Sequence, residues 1–159
     1  VLDSEIGQAV EVDSISWKRS PWGQDNASFV DLNIYMGLSA DDSLGLDFLD
    51  NYLPETRTLV FSRTSYTVSA GPDSWYGIAL DTPYWYTGQD NLLIEIEWSA
   101  GSGSIYSYHW QTGQPRAIAA SYGDSTAPGF ETTLPHMHLN GTLELEQVSF
   151  AAVKSAFKR

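Results

Sequence analysis

The chain contains no cysteine. That absence excludes a disulfide framework, thiolate zinc and iron–sulfur sites, and a cysteine nucleophile. Positive charge is scarce: 8 Lys and Arg stand against 20 Asp and Glu, for a net charge of −12. So acidic a surface lacks the cationic face that nucleic acid requires and is repelled by anionic membrane surfaces. Long apolar runs are missing too, so no membrane-spanning helix is expected. No signal peptide is visible, and the chain opens on Val1 instead of Met, as a processed mature protein or an excised piece would. Catalytic signatures are equally absent: no Gly-rich phosphate loop, no Gly-x-Ser-x-Gly elbow and no His-Glu-x-x-His helix occurs.

What the sequence does hold is aromatic and β-forming. It has 6 Trp, 9 Tyr and 6 Phe in 159 residues, a length that suits one domain around one core. Alternating runs predict strands over Ser28–Gly37, Asn91–Trp98 and Ser104–Gln111, with weaker runs over Val10–Trp17, Thr58–Tyr66, Trp75–Leu80, Arg116–Tyr122 and His136–Leu145. Gly and Pro clusters at Ser20–Gly23, Ala70–Asp73, Thr87–Asp90, Ala100–Gly103 and Thr112–Pro115 read as turns. The stretch Asp41–Tyr52 reads as an acidic loop with one helical turn. The expected fold is an all-β, two-sheet antiparallel sandwich, jelly-roll-like, over residues 1–148. Residues 149–159 read as a short amphipathic C-terminal α-helix. Ser149 is its cap, Phe150, Val153 and Phe157 share one face, and Lys154, Lys158 and Arg159 lie in its last turns.

Several segments resemble the secreted β-sandwich domains of uncultivated bacterial candidate phyla. The likeness rests on Leu2–Gly7, Ile34–Gly37, Asp50–Tyr52, Leu80–Gly88 followed by Asn91–Glu95, Pro135–Met137 and Ser149–Lys154. It implies an exported, non-enzymatic β-sandwich, extracellular or at the cell surface, and brings no catalytic residue with it. Members of that family carry a further strand before the Leu-x-Ser-Glu-Ile element, in which this chain begins. The expectation is therefore a sheet edge at Val1–Ile6 that either a loop covers or a neighbouring subunit fills, with Val1, Leu2 and Ile6 as subunit-contact candidates.

Candidate chemistry is sparse. His136 and His138 share a strand face at a spacing found in metal sites, and need a third ligand such as His109. Glu95 and Glu97 are paired carboxylates, but on one face of one strand, where glycosidase carboxylates flank a bond from opposite sides. Asp41, Asp42, Asp47 and Asp50 are candidate oxygen ligands for Ca²⁺, without EF-hand spacing. Asn26-Ala27-Ser28 and Asn140-Gly141-Thr142 match the glycosylation triplet. Aromatic rings suit three roles: core packing, protein contacts, or stacking on sugars by Trp85, Tyr106, Tyr108 and Trp110.

Charge is segregated. Residues 1–153 carry 5 basic and 20 acidic groups, whereas 154–159 carry three basic groups and none acidic. A basic, apolar-faced tail on an acidic body suits head-to-tail contact between copies, which closes into rings or runs on as filaments, and equally suits a tail folded back on its own acidic surface. The reading is a non-catalytic extracellular subunit of a filament, tube or surface layer, with Phe150, Val153, Phe157, Lys158 and Arg159 as further contact candidates. The alternative is a carbohydrate-binding or adhesive module of a larger secreted protein.

Overall fold

A computed structural model describes residues 1–143; the expected helix at 149–159, with all of its contact candidates, lies outside them. The described residues are mostly β, and every strand pairing is antiparallel. The organising element is one long strand, β1 (Val10–Ser39), of 30 residues. It absorbs two expected strands and the turn foreseen between them.

The first portion of β1, Val10–Lys18, runs between β10 (Met137–Leu143) and β3 (Trp75–Tyr86). Val12 and Ile15 are fully buried, and Val10 and Trp17 nearly so. Simple alternation would put Val12 and Ile15 on opposite faces. A register shift between Val12 and Ser14, made on both sides of the strand, inserts Asp13 and keeps both inward. Across it, β3 bulges at Leu80–Pro83, a setting that tolerates a residue without an N–H. From that bulge Asp81 accepts hydrogen bonds from the Ser62 amide and from Arg63, both in β2 (Thr58–Ser69), and so ties the two portions together.

The second portion, from about Asn26 to Ser39, has β2 on one side. On the other lie β4 (Asn91–Glu97) and β5 (Ala100–Ser107), following one another along it. Leu32, Ile34 and Met36 point into the core as expected, but Val30 does not. Asp31 adopts φ 51°, a left-handed conformation that Asp tolerates, and its carboxylate accepts the Ser99 hydroxyl at 2.8 Å. The side-chain phase changes there, leaving Val30 outside. Both portions of β1 share one core, with Ile78, Tyr84 and Tyr86 from β3, Val60 and Phe61 from β2, and Leu92 from β4.

Between the portions, the segment 19–25 turns a corner around Arg19. The side chain is 1% exposed and donates to the carbonyls of Trp22 (2.7 Å) and Gln24 (3.0 Å) and to Asp25 (3.2 Å). Two small ribbons complete the fold: β6 (His109–Gln111) with β9 (Thr133–Pro135), and β7 (Ala117–Ile118) with β8 (Phe130–Glu131).

Four further expectations are corrected. Ala100–Gly103 is strand, not turn: Gly101 lies so close to β1 that a Cβ would stand 2.7 Å from the Ser28 carbonyl, so its glycine serves close approach. Arg116–Tyr122 shrinks to the two residues of β7, and Ser104–Gln111 is broken at Tyr108. Val1–Ile6 is not an open strand edge. Asp3–Ile6 forms one helical turn, α1, and Val1 exchanges backbone hydrogen bonds with Leu92 (both 2.9 Å). Val1 and Ile6 pack on the core, and Arg116 forks onto Glu5 to hold α1 down. The loop at Asp41–Tyr52 keeps its single turn, a 3-10 turn at Leu49–Asn51.

Candidate functional site

The outward face of β10, β1 and β3 follows from the strand register. Residues opposite one another share a face, so Lys18 and Trp75 lie on one side together, as do His138, Ser16 and Gly77. Trp17, one position along, turns inward. Gly77 and Ser16 are small; a Cβ on Gly77 would stand 2.6 Å from the Ser16 hydroxyl. Over this low centre Trp75 and His138 meet from the two flanking strands, stacked with centroids 3.7 Å apart and planes at 20°. The Lys18 ammonium lies 5.7 Å from the Trp75 ring, within cation–π range.

The face continues onto β6. Lys18, Tyr108 and His136 exchange backbone hydrogen bonds in a ring, each donating to the next. This brings the His136 imidazole against Trp110 (4.4 Å) and Tyr108 (5.9 Å). The Tyr108 hydroxyl donates to Asp73, and that carboxylate pushes the phenol above its ordinary range. The result is a shelf of Trp75, His138, His136, Trp110 and Tyr108, edged by Lys18 and Asp73. Trp75 was missed in the sequence because its stacking partner, His138, lies on a strand more than sixty residues away.

Of the four proposed stacking residues, only Tyr108 and Trp110 come together. Trp85 pairs with Glu11 near the far end of β1, and Tyr106 stands against Gly23 at the corner. The two imidazoles of the proposed metal pair lie against different tryptophans, His138 stacked on Trp75 and His136 tilted against Trp110. Among the described residues no three His, Asp or Glu side chains gather as metal ligands. The four aspartates are likewise dispersed in role: Asp42 accepts from Asn91, and Asp47 accepts the amides of Leu49 and Asp50 to cap the 3-10 turn.

The outer face of β4 holds the carboxylate pair. Glu95 accepts a two-pronged hydrogen bond from Arg57 (2.9 and 2.8 Å) and one from the Tyr52 hydroxyl (2.8 Å). Arg57 lies on the Tyr35 ring at 3.5 Å and reaches Glu97 at 3.4 Å. Burial disfavours the Glu95 anion, but its donors outweigh burial and hold it below the ordinary carboxylate range. Burial, and then the neighbouring Glu95 charge, push Glu97 above that range. All the donors serve to anchor the 52–57 segment on the sheet. That network joins residues about forty positions apart, which no local pattern announces.

Exposure completes the picture. Trp17 is 7% exposed, whereas Trp22, Trp75, Trp85, Trp98 and Trp110 are between 42% and 76% exposed. Among the described residues no helix is long and apolar enough to cross a membrane. Comparison with known protein families, curated proteins and solved structures finds no match for the chain.

Proposed function

We propose that the chain is a non-catalytic, extracellular β-sandwich that works as a structural subunit, associating with copies of itself in a filament, tube or surface layer. The observation that carries this reading is the exposure of five of the six tryptophans. Trp is costly to leave in water, and exposed aromatic rings are characteristic of the anchor positions of protein interfaces. The rings also stand in separate places: Trp22 on the corner, Trp75 and Trp110 on the shelf, Trp85 near the far end of that face, and Trp98 after β4. A subunit touched from several sides needs that distribution. A sugar platform needs coplanar rings in one groove, and Trp85 and Tyr106 stand apart from Tyr108 and Trp110, which weakens the carbohydrate-binding alternative. Because Val1–Ile6 is folded onto the body, contacts run through faces and the C-terminal segment instead of an open N-terminal edge. The extracellular setting rests on the family resemblance.

The test is acrylamide quenching of tryptophan fluorescence in the full chain at low and high protein concentration. Quenching falls as concentration rises if the exposed rings become covered. Equal quenching at both concentrations would overturn the reading.

A further inference from the structure

A groove of about 290 Å³ runs along β5, with Trp98 and Phe29 at one end and Tyr106 at the other. Trp98 packs edge-on against Phe29 at 5.7 Å, and both Trp98 and Tyr106 are about half exposed, so each keeps ring surface free for a ligand. Between them the floor is bare backbone at Gly101 and Gly103. A Cβ at either would run into a β1 carbonyl, that of Ser28 or of Asn26, so glycine lets the strands close up here. Hydroxyls line the rest. Ser102 lies opposite Ser28, and Ser28 shares a hydrogen bond with Thr67 of β2 at 2.9 Å. Opposite residues share a face, so Ser102, Ser28 and Thr67 form a row of hydroxyls across adjacent strands, and Ser104 adds another beside it.

The lining decides the chemistry of the occupant. Among the described residues, none that lines the groove is charged, although the chain as a whole carries a net charge of −12. A charged ligand finds no counter-charge there. A purely apolar one would cover the serine hydroxyls without pairing them, which costs free energy. A neutral sugar meets both demands: its C–H faces stack on aromatic rings while its hydroxyls bond serines and open backbone. From Gly101 to Ile105 the strand covers about 14 Å, room for a short oligosaccharide and not only a single ring. Because the groove follows one strand, it fits an extended, β-linked chain. We propose that it binds a neutral β-linked oligosaccharide, with Trp98 and Tyr106 stacking on sugar rings and Ser28, Ser102 and Ser104 bonding their hydroxyls. Of the stacking residues expected from the sequence only Tyr106 takes part, and here its partner ring lies in the same groove. The inference goes beyond self-association and stands without it.

Isothermal titration calorimetry of the full chain with cellohexaose, xylohexaose and mannohexaose tests it. At least one of these probes binds, and Trp98→Ala and Tyr106→Ala each weaken that binding about tenfold. Trp98→Phe, which keeps a ring, loses less than Trp98→Ala. Ser102→Leu, at an exposed position on the floor, fills the groove and abolishes binding. Melting curves establish that each variant is folded, and Ser102→Leu carries the test where removal of a ring prevents folding. No binding of any probe at millimolar concentration, or equal binding by the parent and the folded Ser102→Leu variant, would overturn the proposal. Sedimentation velocity on the same samples reads self-association separately, so the failure of either reading is seen without the other.

Discussion

Arg57 and Glu95 lie 38 residues apart and meet through two parallel hydrogen bonds of 2.9 and 2.8 Å, with the guanidinium laid on the Tyr35 ring. A forked, partly buried pair of this kind is worth more than an exposed one, because neither charge keeps a full water shell. Glu97, two positions on, is held the other way. Glu95→Gln therefore destabilises the fold by about 2 kcal/mol at pH 7. Glu97→Gln stabilises it by about 0.5 kcal/mol, by removing a carboxylate whose ionisation the fold opposes. The sign follows from the raised Glu97 value: its folded state binds the proton more tightly than the unfolded, so its ionisation lowers stability as pH rises. Urea unfolding of both variants at pH 7 checks the pair of opposite signs.

The N-terminal turn carries an acid-sensitive clasp. Hydrogen bonding to Arg116 draws the Glu5 carboxyl down to about 2 from 4.5. A depressed carboxylate contributes stability that is present above 4.5 and is lost as pH falls towards 2. Glu5→Gln thus costs about 0.5 kcal/mol at pH 7, a small figure because the carboxylate is half exposed. The difference from the parent shrinks to nothing on approaching pH 2. A constant difference across that range would contradict the clasp.

The corner depends on one buried cation. Arg19 holds two carbonyls and one carboxylate of the segment it turns around. Truncation leaves those acceptors facing a void, and Arg19→Ala is expected to cost about 3 kcal/mol. Thermal unfolding measures it, and a loss below about 1 kcal/mol would show that the corner is held by its backbone ladder alone.

Shelf tryptophans are expected to matter for association and not for folding. Trp110→Ser and Trp75→Ser each leave thermal stability within about 1 kcal/mol, since both rings are already half in water. At least one of them weakens self-association about tenfold or more, as anchor residues do. Melting curves and sedimentation on the same samples separate the two effects.

The half-buried strands were legible because one face is dry and one wet: Leu92 and Ile94 face the core while Glu95 and Glu97 face out. Sequence reading failed where the backbone leaves strict alternation. Asp31 changes the phase and expels Val30, and Asp13 inserts a residue that keeps Val12 and Ile15 together. It failed again at Gly101 and Gly103, where glycine signals close strand approach and not a turn. Of the surface aromatics, the alternation in Ser104–Gln111 placed Tyr106 with Tyr108 and Trp110. The strand break at Tyr108 sends Tyr106 to the groove and the other two to His136. Contacts such as Trp75 on His138 depend on register between strands more than sixty residues apart, which composition and spacing do not encode.

Light-scattering mass of the purified full chain across a wide dilution series tests the central claim most directly. Self-association predicts an average mass that climbs well above that of one chain as concentration rises. A mass equal to one chain at every concentration, up to the solubility limit, would contradict it.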